Sequence, residues 1–170
     1  MGQFICDREK YKFGKGYIYL PVKIENLPES INIDGYSLLL KPEFHCSLVC
    51  VKGISPEYGD NLEEKIIKYF CDFVSKNEIS FIKYRNEFRL VKKDEKVSII
   101  VMCDISNLES FFLVLEKEYG IKAEVQPTHV TIYTLQPNIG IGLPSKSELD
   151  KLTTLAEMQD EVKRSLGLMI

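Results

Sequence analysis

Tryptophan is absent from this 170-residue chain, and histidine occurs only twice. No two cysteines stand in C-x-x-C spacing, which removes zinc ribbons and thioredoxin-like redox motifs. No apolar run approaches the roughly 20 residues that cross a bilayer. The first residues lack the layout of a signal peptide. An excess of positive charge is missing as well: 22 Lys and Arg stand against 25 Asp and Glu, for a net charge of −3. That balance argues against a protein dedicated to long duplexes and leaves small nucleotides and short RNA ends open. No low-complexity segment or linker divides the chain, so residues 1–170 read as a single domain. Five cysteines, Cys6, Cys46, Cys50, Cys71 and Cys103, make an odd number, and several lie in apolar runs. They read as buried free thiols of a reducing compartment, so the expected location is cytoplasmic.

What is present is a mixture of strand and helix patterns. Residues 16–24, 36–40, 44–52, 79–91, 97–105 and 128–135 are predicted strands, rich in β-branched and aromatic residues. Pro21 marks the first as an edge or a bulge, and Asn86 marks a bend in the fourth. Residues 27–34 read as a loop. Across 60–76 the apolar residues Leu62, Ile66, Ile67, Phe70 and Val74 recur at helical spacing. Ser106 and Glu109 form a capping-box pattern before a second helix, which turns Leu108, Phe111, Phe112 and Leu115 inward and stops at Gly120. Ser145 and Glu148 repeat that pattern before a final helix over 147–166. The element order predicts an α+β fold rather than a βαβ array.

Both histidines open the same four-residue frame. His45 begins His45-Cys46-Ser47-Leu48, and His129 begins His129-Val130-Thr131-Ile132. Chance would produce this coincidence on the order of once in a thousand tries. Side chains alternate along a strand, so His45 and Ser47 share one face while Cys46, Leu48 and Cys50 share the other. His129, Thr131 and Tyr133 likewise share a face. Cys46 thus points away from His45, which argues against a shared zinc site. Two facing imidazoles suit acid–base work near neutral pH, one neutral and one protonated. Two hydroxyls between them can hold the non-bridging oxygens of a phosphate. This constellation fits phosphodiester cleavage without a metal or other cofactor.

The paired frames resemble the two-histidine phosphoesterase superfamily, the RNA 2′,5′-ligase and cyclic phosphodiesterase group. The likeness rests on His45, Ser47, His129 and Thr131 and their strand context, with an element order that roughly agrees over residues 16–155. Ser47 stands where Thr is commoner in that family; the hydroxyl is kept. The resemblance implies two pseudo-symmetric lobes whose antiparallel sheets line a central cleft, with helices packed outside. It implies catalysis by His45 and His129 and phosphate binding by Ser47 and Thr131. Expected substrates are 2′,3′-cyclic phosphates, 2′,5′-linked or cyclic oligonucleotides, or RNA ends. A non-catalytic module that binds a nucleotide or RNA end through the same cleft is the rival reading. Neither reading calls for a protein partner or a membrane, and a monomer is expected.

Tyr133, one step beyond Thr131 on its face, is a candidate to stack on a base or bond a phosphate; the competing reading is a residue filling the cleft floor. Lys83, Arg85 and Arg89 share strand parity if no bulge intervenes, and would form either a phosphate-steering edge or a charged strand edge that resists aggregation. Gly140-Ile141-Gly142 lacks the third glycine of a dinucleotide fingerprint and reads as a turn.

Overall fold

Burial along one strand organises the molecule. The computed structural model describes residues 2–169. In β8 (Lys96–Ile105), residues 97–103 are buried without a break. Ile99, Val101 and Cys103 enter one apolar cluster, and Ile100 and Met102 enter another on the opposite face. A strand covered on both faces belongs at the middle of a sheet. Its neighbours are β7 (Phe81–Lys93) and β9 (His129–Thr134), both antiparallel to it.

The complete sheet among the described residues has ten strands. Its main path runs through β1 (Gln3–Phe4), β2 (Lys12–Gly14), β3 (Tyr17–Val22), β6 (Phe44–Cys50), β9, β8, β7 and β10 (Thr153–Ala156). The hairpin of β4 (Ser30–Ile33) and β5 (Tyr36–Leu40) joins through β5, which pairs with the far end of β9. All these pairings are antiparallel.

The larger core lies on one face, under α1 (Leu62–Val74), α2 (Leu108–Tyr119) and α4 (Asp160–Ser165). Helix α1 buries Ile66, Phe70, Phe73 and Val74, as its spacing predicts. Phe70 meets the ring of Tyr11 edge-on at 5.1 Å and that of Phe111 at 5.2 Å, the geometry that the ring quadrupoles favour. The smaller core on the other face holds Val91, Ile100, Met102, Ile141, Leu143 and Leu149. It is roofed by α3 (Lys146–Leu152) and the loop before it, over β7 and β8. The α+β class is thereby established; the sheet itself is continuous along its path.

Four local expectations are corrected. Residues 147–166 do not form one helix: α3 ends at Leu152, and Thr153–Ala156 extends to pair with β7 before α4 begins. Two adjacent threonines favour strand geometry, and the free edge of β7 supplies the ladder bonds. The Ser106–Glu109 capping box does not form. The Ser106 hydroxyl instead accepts the Ser80 N–H at 2.9 Å, and Asn107 in left-handed conformation precedes α2. The segment read as loop contains β4. The cysteines are not all free: Cys6 and Cys71 are disulfide-bonded, joining the N-terminal segment to α1 with Cα atoms 4.9 Å apart. Cys46, Cys50 and Cys103 are free thiols. The two bridged residues lie 65 positions apart, so their pairing has no local signature. Among the described residues no helix is long and apolar enough to cross a membrane.

Candidate active site

The two histidine frames meet across one strand boundary. Strands β6 and β9 are joined in register by a single pair, Cys46 opposite Val130. Because the strands run antiparallel, His45 then lies across from Thr131, and Ser47 across from His129. The two frames are related by a local two-fold through the Cys46–Val130 pair. Cys46 and Val130 are fully buried in the larger core, so all four polar side chains project from the opposite face. On that face His129 stands opposite Met102 and Thr131 opposite Ile100, both members of the smaller core. The site is thus backed by one core and flanked by the other, and its strand positions are stiff.

Each imidazole has a distinct setting. His129 is 8% exposed, and its Nδ1 lies 2.9 Å from the Pro127 carbonyl oxygen. A carbonyl only accepts, so Nδ1 carries the proton and donates it, leaving Nε2 as the free acceptor. Burial lowers the His129 pKa, the Pro127 bond opposes that shift, and the Lys41 ammonium lowers it further. His45 packs against the ring of Tyr19 at 4.8 Å. Its pKa is pushed down to about 4 by burial, then by the charges of Lys41, His129 and Lys15. In the free protein both rings are therefore neutral at pH 7.

Lys41 is the participant that the sequence reading missed. It is 8% exposed, and its backbone N–H donates to Ile132 O at 2.9 Å. It stands where β5 and β6, both paired to β9, part from each other. Burial and the nearby Lys15 lower its pKa, while Glu43 raises it. A buried ammonium acting on two imidazoles holds both toward their neutral forms, with Glu43 partly offsetting its charge. Its available signal was a lysine placed directly between the apolar Leu38-Leu39-Leu40 run and Pro42. Tyr19, opposite Ser47 in the β3–β6 register, was missed too, because nothing in the sequence tells which strand neighbours β6.

Ser47 and Thr131 are half-buried. The hydroxyls of Thr128, Thr134 and Thr153 donate to backbone carbonyls; that of Thr131 has no such partner among the described residues. The Gly140–Gly142 segment is more than a turn. A Cβ added at Gly140 would stand 3.9 Å from Cγ2 and 4.0 Å from Oγ1 of Thr131. One added at Gly142 would stand 2.9 Å from the Tyr17 hydroxyl. Ile141 between them is anchored in the smaller core, so this loop walls the site.

Tyr133 is corrected as a ligand contact. It is fully buried in the larger core, and its hydroxyl donates to Pro28 O at 2.7 Å. The register slips between Ile99 and Ile100, so Ile132 and Tyr133 both turn to the core and strict alternation ends. Register also shifts along β7 between Tyr84 and Phe88. The basic residues there do not form an unpaired row: Arg85 meets Asp104 at 3.2 Å and Arg89 meets Glu87 at 2.7 Å. Cys46 faces the core with its sulfur 3.7 Å from that of Cys103. Among the described residues no three His, Cys, Asp or Glu side chains are grouped to hold a metal ion.

No family model, curated protein or solved structure matches the chain. The functional reading therefore rests on the geometry of its own residues.

Proposed function

We propose that the chain is a metal-independent phosphodiesterase of the two-histidine type, acting on a nucleotide or short oligonucleotide phosphodiester. The observation that carries this reading is the antiparallel register of the two frames, which presents two imidazoles and two hydroxyls on one face around one point. A phosphate seated there meets Ser47 and Thr131 on its non-bridging oxygens. Its charge is balanced by buried Lys41, and by the same field it raises the proton affinity of the histidines. One imidazole then takes a proton from the attacking oxygen while the other gives one to the leaving oxygen. His129 offers Nε2 for this exchange, its ring held by Pro127. A two-lobed arrangement is supported by the narrowing of the sheet to one registered pair between β6 and β9.

The test is turnover of 2′,3′-cyclic mononucleotides, 2′,5′-linked oligomers and cyclic oligonucleotides, each with and without EDTA. His45→Ala and His129→Ala should each lower the rate by about two to four powers of ten while remaining folded. A folded variant with near-full turnover would remove the paired-imidazole mechanism. The second reading is a nucleotide or RNA-end binding module without catalysis. It is favoured by one observation, the lowered pKa of both histidines, which leaves little proton donor at neutral pH until an anion binds. Tight nucleotide binding without turnover of any substrate would select it.

A further inference from the structure

A groove of about 720 Å³ opens beside the histidine face, toward β7 and β8. Met102 lies in its floor and stands opposite His129 in the strand register. Cross-strand neighbours have Cβ atoms about 5 Å apart, so the groove starts within a side chain's length of the imidazole. No histidine lines it. Its volume lies in the range of small-molecule sites.

Two features tell what it accepts. Arg85 and Arg89 line the groove, but each guanidinium is already paired with a carboxylate, Asp104 or Glu87. Their charge is balanced, so the groove is a poor site for a free phosphate. Their planar faces are suited to stacking on a ring. At the inner end lies Gln126, 3% exposed, whose Oε1 has no hydrogen-bond partner. Buried carboxamide oxygens are ordinarily paired. The Pro127 carbonyl, next along the chain, accepts the His129 Nδ1–H, so one short backbone segment holds both the imidazole and the unpaired amide.

We propose that this groove seats the nucleobase of the nucleotide whose phosphate lies between the histidines, with the Gln126 carboxamide bonding the base edge. The proposal rests on the phosphodiesterase reading. A carboxamide places an acceptor and a donor side by side, which matches an exocyclic amine beside a ring nitrogen. Adenine and cytosine carry that pair, and uracil offers its N3–H beside a carbonyl, so the carboxamide can bond the edge of each of them.

The experiment compares the four 2′,3′-cyclic nucleoside monophosphates as substrates, and adenosine and uridine 2′-monophosphates as ligands, on wild type and Gln126→Met. The substitution keeps the length and removes the polar pair. Expected is a fall of about ten- to a hundredfold in kcat/KM for the adenine, cytosine and uracil substrates, carried by KM. Arg85→Ala, on a side chain that is 44% exposed, gives a second variant that does not disturb the core; it should weaken binding of all bases alike. Turnover by a folded Gln126→Met with wild-type kcat/KM on every substrate overturns the subsite and leaves the phosphodiesterase reading intact. Adenosine 2′-monophosphate binding that Gln126→Met weakens, with no turnover of any substrate, supports the subsite and overturns the catalytic reading. Absence of both binding and turnover overturns both.

Discussion

The two imidazoles can be watched one at a time, because the described site holds the chain's only histidines. Proton NMR of the ring Cε1–H signals should place the His45 pKa near 4, well below its ordinary 6.5. That displacement corresponds to roughly 3 kcal/mol in favour of the neutral ring. Burial is its largest cause and the Lys41 charge comes next; the same charge also lowers His129. Lys41→Met keeps a long apolar stem and removes the charge. Both pKa values should rise, and His45 should stop short of 6.5 because burial persists. The stability consequence has a definite sign. The unfolded chain takes up the His45 proton near pH 6.5 and the folded chain only near pH 4, so stability is complete above 6.5 and falls as the pH drops from 6.5 to 4. Urea midpoints at pH 7 and pH 4.5 should show the loss, and Lys41→Met should shrink the histidine share of it. A wild-type His45 that titrates at 6.5, or a folded Lys41→Met that leaves both signals unmoved, would refute the buried-cation argument.

Other outcomes can be measured directly. Because both histidine pKa values lie below 6.5 in the free protein, kcat/KM for a phosphodiester should peak on the acid side of neutrality; a peak above pH 7 would contradict it. Thr131→Val removes the hydroxyl proposed to hold the phosphate and should cost about ten- to a hundredfold in kcat/KM with little change in Tm, whereas loss of folding with full activity in the folded fraction would make the hydroxyl structural. Gly140→Ala meets only ordinary contacts, so it should fold normally and raise KM by crowding Thr131; unchanged kinetics would show that the loop is not a wall of the site. Cys71→Ser opens a loop of 65 residues and should lower stability by up to about 4 kcal/mol, seen as a lower urea midpoint that matches reduced wild type.

Much of the local architecture could be read from residue patterns. Helix α1 falls where Ile66, Phe70 and Val74 recur at helical spacing, and Gly120, at φ 67°, closes α2. Ser145 accepts the Glu148 N–H at 3.2 Å and starts α3. These features depend on neighbours a few positions apart, where propensity and capping act. The readings that failed depended on distant partners. The helix over 147–166 gave way to β10 because β7 offered an open edge. Tyr133 left its predicted face because the β8–β9 register slips by one residue. Cys6 met Cys71 through packing that no spacing announces.

For the site, the sequence by itself determined which chemistry is present. Two imidazoles and two hydroxyls stand in identical strand frames, and strand alternation alone separates His45 and Ser47 from Cys46 and Leu48. Only the tertiary structure decided that the frames lie antiparallel on adjacent strands around Cys46 and Val130. It alone brought in Lys41, the Tyr19 ring and the Gly140–Gly142 wall. The reason is physical: side-chain alternation is a property of one strand, whereas register, burial and the field of a distant ammonium depend on how separate strands are packed together.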